Sequence, residues 1–422
     1  MSKVKAAGMT QLTPIIWITG VAALISLMGS SLKSTVQVYF VPMAHSFGEP
    51  RDRFALATTL FAVVLAVASP LIGALSDRYG PLIVLRAGLV VSAAMFVWVS
   101  LVQNFVLLTV GYGILGALGY ASLSYIPIGV LVDRVFPPDR KGFFYALLTN
   151  GTAIGFMVLV PLWVWLEQLT DWRLVMFAVG VFMALVLLPL SFTLRRHRWA
   201  GTAAPQAPAA TGPRGISILR RGPFAALAAA FFACGITMAF VDVHMVPMLH
   251  DHHVGAPAVS SAMVLLGLTE VIGAFVTGMV CDRGRIRMIL ILAYLLRGAS
   301  ITLLAFAPNA AVVQVFGVIF GTSYLMTVVA TTTWIIKLYP ARVRGLLLGV
   351  LWTVHQVGAA LSSQIGAVLH EGFGSYTPLM YIAAIFCVVS IVLVASLREP
   401  DESNVIGLAP AAAESETATA GG

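Results

Sequence analysis

Long apolar stretches recur along this chain from Pro14 to Leu397, and short polar connections separate them. About 20 consecutive apolar residues are enough for one helix to cross a membrane. Only 10% of the side chains are charged, whereas soluble domains carry roughly 25%. The recurrence excludes a globular enzyme with a single anchor, and it excludes a β-barrel because barrel strands alternate apolar and polar residues. The sequence predicts an all-α polytopic membrane protein.

Twelve transmembrane helices in two six-helix bundles are predicted. Residues 195–222 include the stretch GTAAPQAPAATGPRG, whose composition does not support a packed core. We predict an N-terminal bundle over 1–194, a cytoplasmic linker over 195–222, a C-terminal bundle over 223–398 and a disordered cytoplasmic tail over 399–422. The predicted spans are 14–40, 54–75, 82–102, 105–132, 143–166, 172–194, 223–248, 258–281, 287–307, 311–337, 345–369 and 376–397.

The positive charges indicate the orientation of the chain. Of the 25 Lys and Arg residues, 20 lie in the even-numbered connections and the terminal segments, and 3 lie in the odd-numbered connections. By the positive-inside rule, both termini and the central linker are cytoplasmic. The net charge of +8 therefore reflects this topology. The sequence has no basic stripe with interleaved aromatic residues, which is the pattern that would indicate nucleic-acid binding. We expect a protein integral to the plasma membrane, the inner membrane of a bacterium.

The two halves of the sequence repeat one another. GALSDRYG, which contains Asp77, is echoed by GMVCDRGR, which contains Asp282, 205 residues later. PPDRKGFFYALLTNGTAIG, which contains Gly142, is echoed by YPARVRGLLLGVLWTVHQVG, which contains Gly345, 203 residues later. Two agreeing offsets indicate a duplicated six-helix unit, and parallel repeats of this kind are typical of one class of transporters.

The repeated G-x-x-x-D-R motif, together with twelve spans and a central loop, resembles the signature of the major facilitator superfamily. The resemblance covers essentially the whole chain. It implies that Asp77, Arg78, Asp133, Asp282 and Arg283 form gate contacts that hold the cytoplasmic side closed. Asp77 is expected to accept hydrogen bonds at a helix N-terminus, where the helix dipole favours a carboxylate, and Arg78 is expected to pair with Asp133. The alternative is that these are ordinary topogenic charges.

A narrower resemblance lies in the first span, where LKSTVQVYF is similar to the lysine–serine segment of the monocarboxylate transporters. In that family the lysine, here Lys33, binds the substrate carboxylate. The family also places an acidic residue eight positions before a glycine of the eighth span, as Glu270 stands before Gly278. The family's arginine, four residues after that acid, is Ala274 in this chain. The match is therefore to bacterial members of the monocarboxylate transporter and oxalate–formate antiporter group.

Four charged residues lie inside predicted spans: Lys33, Asp242, Glu270 and Arg297. Each costs at least about 2.5–3.5 kcal/mol on insertion scales, so each needs a partner or a wet cavity. We expect Lys33 to pair with Asp242 or to receive the substrate carboxylate; the alternative is a lysine that extends its ammonium to the outer surface. Glu270 and Asp242 are candidates for carrying a coupled proton. Arg297 is expected either to pair with Glu270 or to bind substrate in place of the missing arginine.

Neutral polar residues within the spans complete the predicted site. Tyr120, Asn150, Tyr324 and His355 can orient a small polar solute, although such residues also pack between helices. The sequence HDHH, with His250, His252 and His253, raises the possibility of a metal site. No fourth ligand stands at a useful spacing, so a solvated loop is the favoured interpretation. We expect no metal and no cofactor. The three cysteines are interpreted as small core residues: Cys234, Cys281 and Cys387.

The leading functional prediction is a secondary transporter that moves a small organic monocarboxylate by alternating access with proton symport. The charges inside the spans sum to zero, so one bound monoanion is balanced by one proton. The alternative is a drug or multi-substrate proton antiporter of the same superfamily. An enzyme is not expected, because no nucleophile–base set, phosphate-binding loop or zinc motif is present. The expected partners are a small organic anion, protons and membrane lipid, with no nucleic acid, and the protein is expected to be monomeric.

Overall fold

The computed structural model describes residues 2–194 and 222–400, and for residues 2–14, 51, 52 and 55 it describes the backbone alone. Helices are the only regular secondary structure in these ranges, and twelve spans are long and apolar enough to cross a membrane. The predicted all-α architecture is confirmed. Spans 1 to 12 run Ile15–Val38, Leu56–Tyr79, Pro81–Leu101, Phe105–Val135, Pro138–Glu167, Trp172–Phe192, Gly222–Asp251, Ala256–Asp282, Ile286–Phe306, Ala310–Leu338, Arg344–Phe373 and Thr377–Ala395.

Most spans are single helices. The uninterrupted ones are Arg51–Tyr79, Pro81–Leu101, Lys141–Glu167, Ala256–Asp282, Ile286–Phe306, Arg344–Phe373 and Thr377–Ala395. The predicted linker over 195–222 and the predicted tail over 399–422 lie outside the described residues, apart from their junctions at Gly222, Glu399 and Pro400.

The first and fourth spans of each half are interrupted within their length, as is span 6 by a π-helical turn at Met183–Leu187. Span 1 consists of Ser2–Gly29 and Ser31–Val38, and span 10 of Ala310–Tyr324 and Met326–Leu338. Span 4 ends in Ala117–Leu123 and Tyr125–Val135, and span 7 contains a π-helical turn at Phe240–His244. Such interruptions are frequent at functional sites, because they free backbone groups and redirect side chains. The predicted site residues Lys33, Tyr120, Asp242 and Tyr324 all lie within or beside them.

Local side-chain bonds explain the break in span 1. The Ser30 hydroxyl donates to the Leu27 carbonyl at 2.7 Å, and the Ser31 hydroxyl donates to the Met28 carbonyl at 2.6 Å. Serine hydroxyls that bond to the preceding turn compete with the helical ladder and bend helices. The serines beside Lys33 therefore help to place this lysine at a helix discontinuity.

The two halves pack together through span 2 against span 11 and through span 5 against span 8. Glycines allow this contact: a Cβ on Gly73 would overlap the Gly345 carbonyl, and a Cβ on Gly142 would overlap the Gly278 carbonyl. All four glycines belong to the repeated sequence motifs, so the repeats mark the places where the backbones of the two halves approach most closely.

Candidate functional site

Both repeated aspartates lie at one end of the helix bundle, which we call the motif end. The Asp77 carboxylate accepts hydrogen bonds from the backbone N–H groups of Gly345 and Leu346, both at 2.9 Å. The Asp282 carboxylate accepts hydrogen bonds from Gly142 and Phe143 at 2.7 and 2.8 Å. Each aspartate thus caps the first turn of a helix in the other half, where unpaired N–H groups and the helix dipole favour an anion. The expected helix-terminus contact of Asp77 is confirmed.

A third acid, Asp133, joins the halves by an ion pair. Its side chain is 4% exposed and contacts Lys141 at 2.6 Å and Arg344 at 2.5 Å. Lys141 begins the α-helix Lys141–Glu167 of span 5 in the same half, whereas Arg344 begins span 11 in the other half. Asp133 is therefore held by one cation from each half.

The expected Arg78–Asp133 pair does not form. The Arg78 guanidinium lies 5.1 Å from the ring of Tyr79, and the backbone carbonyl of Asp77 instead accepts a hydrogen bond from Arg134 at 2.6 Å. The prediction was wrong because Asp133 faces the helix starts at Lys141 and Arg344. Arg283, also predicted to be a gate residue, donates to the Met279 carbonyl of its own helix at 3.1 Å.

A small cavity between the two halves, of about 30 Å³, contains Lys33 and has room for one or two water molecules in this conformation. The half-buried lysine places its ammonium 4.6 Å from the centre of the Tyr120 ring, a cation–π contact in which the aromatic face attracts the charge. Both halves contribute to the walls, which are formed by Lys33, Leu65, Ser69, Tyr120, Ala121, Ser124, Tyr125, Ile126, Trp352 and Gln356.

The expected Lys33–Asp242 ion pair does not form, although the two residues are close enough to interact electrostatically. The exposed Asp242 carboxylate instead accepts a hydrogen bond from the Tyr324 hydroxyl at 3.2 Å. The π-helical turn in span 7 directs Asp242 toward span 10. As a result, Lys33 and Asp242 are opposite charges within electrostatic range of each other, and neither has an ion-pair partner within the described residues.

The expected Glu270–Arg297 ion pair also does not form. Arg297 is fully buried and donates to the Ser323 and Tyr324 carbonyls, both at 2.8 Å. These carbonyls lie at the interruption of span 10, where the helical ladder leaves them available. The same guanidinium also bonds to three side chains: Cys234, Thr237 and Thr327. Arg297 therefore fastens spans 7, 9 and 10 together and is not accessible to a solute in this conformation.

Glu270 is half-buried in span 8, and its carboxylate has neither a hydrogen bond nor an ion pair in the described part of the chain. It lies within electrostatic range of Asp242 and Arg297. Next to it, the Asn150 amide donates to the Val271 carbonyl at 3.2 Å. Asn150 is fully buried, so in this conformation the predicted substrate contact is replaced by a contact between the two halves.

His355 is buried beside the cavity, in contact with aromatic rings. Its ring lies 5.1 Å from Phe231 and 5.0 Å from Trp352, and its nitrogens face Gln356 and the Met238 sulfur. Trp352 also stacks on Tyr125 of the other half, with a centroid distance of 4.6 Å and an interplanar angle of 11°. Sequence reasoning missed this inter-half stack, because a Trp or Tyr in an apolar span resembles any other core residue.

Comparisons with known proteins agree with this architecture. The sequence model described as Major Facilitator Superfamily matches residues 19–245 and again residues 225–419. The chain belongs to the major facilitator superfamily. The superfamily consists of transporters, and the expectation that the protein is not an enzyme is confirmed.

Among curated superfamily proteins, the chain is 26% identical over 377 residues to an uncharacterised MFS-type transporter, YcxA, of Bacillus subtilis. That match covers 86% of this chain and 90% of YcxA. The chain is also 25% identical over 354 residues to monocarboxylate transporter 13 of the rat, covering 83% of this chain and 81% of the relative. The resemblance to transporters of the monocarboxylate group is therefore confirmed at low identity.

Solved structures show the same fold. The outward conformation of FucP superposes with a TM-score of 0.70 at 14% identity, covering 89% of this chain and 97% of FucP. The human organic anion transporter MFSD10 superposes with a TM-score of 0.70 at 15% identity, covering 90% of this chain and 99% of MFSD10. These likenesses confirm the two six-helix bundles.

Proposed function

We propose that this major facilitator protein moves a small organic monocarboxylate across the bacterial inner membrane by alternating access, in symport with a proton. The observation that carries the proposal is the Lys33 ammonium, which faces a cavity between the two halves and has no ion-pair partner within the described residues. A cation at membrane depth is costly without an anion. A substrate carboxylate supplies that anion through a charge-assisted hydrogen bond.

The contacts at the motif end support the alternating-access part of the proposal. The four backbone hydrogen bonds to Asp77 and Asp282, together with the Asp133–Arg344 pair, all join one half to the other. The distribution of positive charge assigns this end to the cytoplasm. The structure then represents a state closed toward the cytoplasm, and opening that side requires these contacts to break together.

Two acids near the cavity support the proton part of the proposal. Glu270 and Asp242 interact electrostatically, and Tyr125 of the cavity wall lies within range of both. Two carboxylates within electrostatic range of each other repel when both are ionised, so one proton on the pair stabilises it. A monocarboxylate bound at Lys33 adds another negative charge and favours proton uptake further.

A thermal-shift screen of the purified protein tests the substrate class. Short-chain, hydroxy-, keto- and aromatic carboxylates are compared with their neutral amides, since a ligand at 100 times its Kd stabilises the folded state by about 2.7 kcal/mol. We expect one class of acid to raise the melting temperature of the wild type and of Lys33→Arg, but not of Lys33→Gln. Equal stabilisation by acids and amides would contradict the proposal.

One observation favours the second candidate, a proton antiporter for cationic drugs. Asp242 presents an exposed carboxylate with no ion-pair partner in the described ranges, and a lipophilic cation would complement it. The same screen therefore includes lipophilic cations. If these stabilise the wild type but not Asp242→Asn, while every carboxylate is inactive, the antiporter replaces the monocarboxylate symporter as the conclusion.

A further inference from the structure

A groove of about 750 Å³ opens at the motif end between spans 7 and 12, separate from the Lys33 cavity. Small residues of span 7, among them Gly222, Ala225 and Ala229, form one wall, Leu393 of span 12 lies opposite, and Trp334 of span 10 forms part of the lining. The volume falls within the range of about 300–1,000 Å³ in which proteins bind small ligands. The groove is thus large enough for an apolar chain.

The internal repeat identifies the corresponding place in the N-terminal half. A Cβ on Gly155 would meet the Leu27 carbonyl, and a Cβ on Gly358 would meet the Phe232 carbonyl. Since Gly155 and Gly358 are separated by the same 203 residues as the repeated motifs, Leu27 corresponds to Phe232. Span 7 therefore follows span 1 at an offset of 205 residues at this level.

The same offset makes Trp17 the counterpart of Gly222. In the N-terminal half, the Trp17 indole N–H donates to the hydroxyl of Thr193, just after span 6, at 2.9 Å. In the C-terminal half, glycine replaces the indole, and the space between spans 7 and 12 remains open. The groove is therefore a specific departure from the repeat and not a general property of the fold.

A polar donor in the groove lining has no acceptor. Trp334 is fully buried, and its indole nitrogen has no hydrogen-bond partner within the described residues. Buried indole N–H groups normally find a partner, and leaving a donor unpaired is unfavourable. A ligand that combines an apolar body with an oxygen acceptor would satisfy Trp334 once the side chains that cover the indole nitrogen shift aside.

The mouth of the groove carries a positive charge. Arg398 lies on the rim, is exposed, and forms no ion pair in the described part of the chain. The adjacent acid, Glu399, is directed elsewhere, because its carboxylate accepts hydrogen bonds from the backbone N–H groups of Ile286 and Arg287 at the start of span 9. Arg398 thus remains available to an external anion.

We propose that this groove binds one anionic phospholipid from the leaflet at the motif end. An acyl chain occupies the groove, Trp334 donates to an ester carbonyl, and the phosphate lies against Arg398. Basic pockets between transmembrane helices at a membrane surface are suited to anionic headgroups. The groove adjoins the ends of three spans, at the level where acyl chains meet headgroups, so a membrane lipid reaches it without crossing the bundle.

Quenching of tryptophan fluorescence by brominated acyl chains tests the proposal on the full-length protein in lipid nanodiscs. The contribution of Trp334 to the fluorescence is the difference in emission between the wild type and Trp334→Phe. We expect brominated phosphatidylglycerol to quench this contribution more than brominated phosphatidylcholine at the same mole fraction. Arg398→Gln should weaken phosphatidylglycerol binding about fivefold, the effect of losing one basic residue near a membrane surface.

Two variants make the test specific. Trp165 is 56% exposed and lies at the end of span 5 remote from the motif end. Its contribution to the fluorescence, obtained from Trp165→Phe, should therefore be quenched to the same extent by both lipids. Ala229→Phe fills the groove and should protect Trp334. If Trp334 is not quenched, or is quenched equally by the two lipids, the anionic-lipid site does not exist.

Discussion

Replacing Arg344 by methionine should favour opening of the motif end while both halves remain folded. Asp133 contacts Lys141 of its own half at 2.6 Å and Arg344 of the other half at 2.5 Å. Only the Arg344 contact is lost when the halves separate. A charge-assisted hydrogen bond contributes about 1.5–3 kcal/mol, which corresponds to a change of about 10- to 150-fold in an equilibrium constant. Because the Arg344 side chain is 15% exposed, water screens part of this energy, and we expect a shift near tenfold.

Pulsed electron paramagnetic resonance between spin labels measures this shift. Asp139→Cys and Arg342→Cys place labels at equivalent exposed positions of the two halves, next to the helix starts. With Arg344 present, the distance between the two spin labels should be mostly the short one of the closed motif end. Arg344→Met should populate a longer distance between the labels, that of the open motif end. The native cysteines are buried and should remain unlabelled.

Lys141→Met is the matched control, because it removes the other cation from the same carboxylate but leaves the inter-half pair intact. It should lower thermal stability with little change in the distance distribution. The reasoning is refuted if Lys141→Met and Arg344→Met shift the distances equally, or if neither shifts them.

Three further predictions follow from the same contacts. Glu270→Gln should spare substrate binding in the thermal-shift assay and abolish uptake driven by a pH gradient; uptake at the wild-type rate would exclude Glu270 as the proton carrier. Arg297→Met leaves several buried acceptors unsatisfied, and each costs about 1–3 kcal/mol of stability. The melting temperature should therefore fall, while ligand affinity in the remaining folded protein stays within about twofold of the wild type. A selective loss of affinity would instead place Arg297 in the substrate site. In intact cells, an impermeant thiol reagent should label His252→Cys and not Arg283→Cys; the reverse pattern would invert the orientation.

The architecture and the cap at Asp77 could be predicted because they follow from one-dimensional signals. Hydropathy defines helices of membrane-spanning length, and the repeated motifs place Asp77 and Asp282 at helix ends, where unpaired N–H groups attract carboxylates. These arguments need only the position of a residue along a helix axis. The structure accordingly confirms the twelve spans and the expected cap at Asp77.

The ion pairs could not be predicted in the same way, because they depend on the direction of each side chain around its helix. Successive residues of an α-helix turn by about 100°, so two charges at the same depth can face different neighbours. Lys33 and Asp242 lie at similar depth, yet the π-helical turn of span 7 directs Asp242 to the Tyr324 hydroxyl. Hydropathy does not reveal such a turn.

Arg297 shows how a helix break can replace a counter-ion. Sequence reasoning assigned a carboxylate to this buried guanidinium, because an isolated charge at membrane depth is unfavourable. The interruption of span 10 instead directs the carbonyls of Ser323 and Tyr324 to Arg297, and their partial negative charges together solvate the cation. Glu270 is thereby left without an ion-pair partner among the described residues. An acid without a counter-ion, within electrostatic range of Asp242, is available to carry a proton, so the structural role of Arg297 supports a functional role for Glu270.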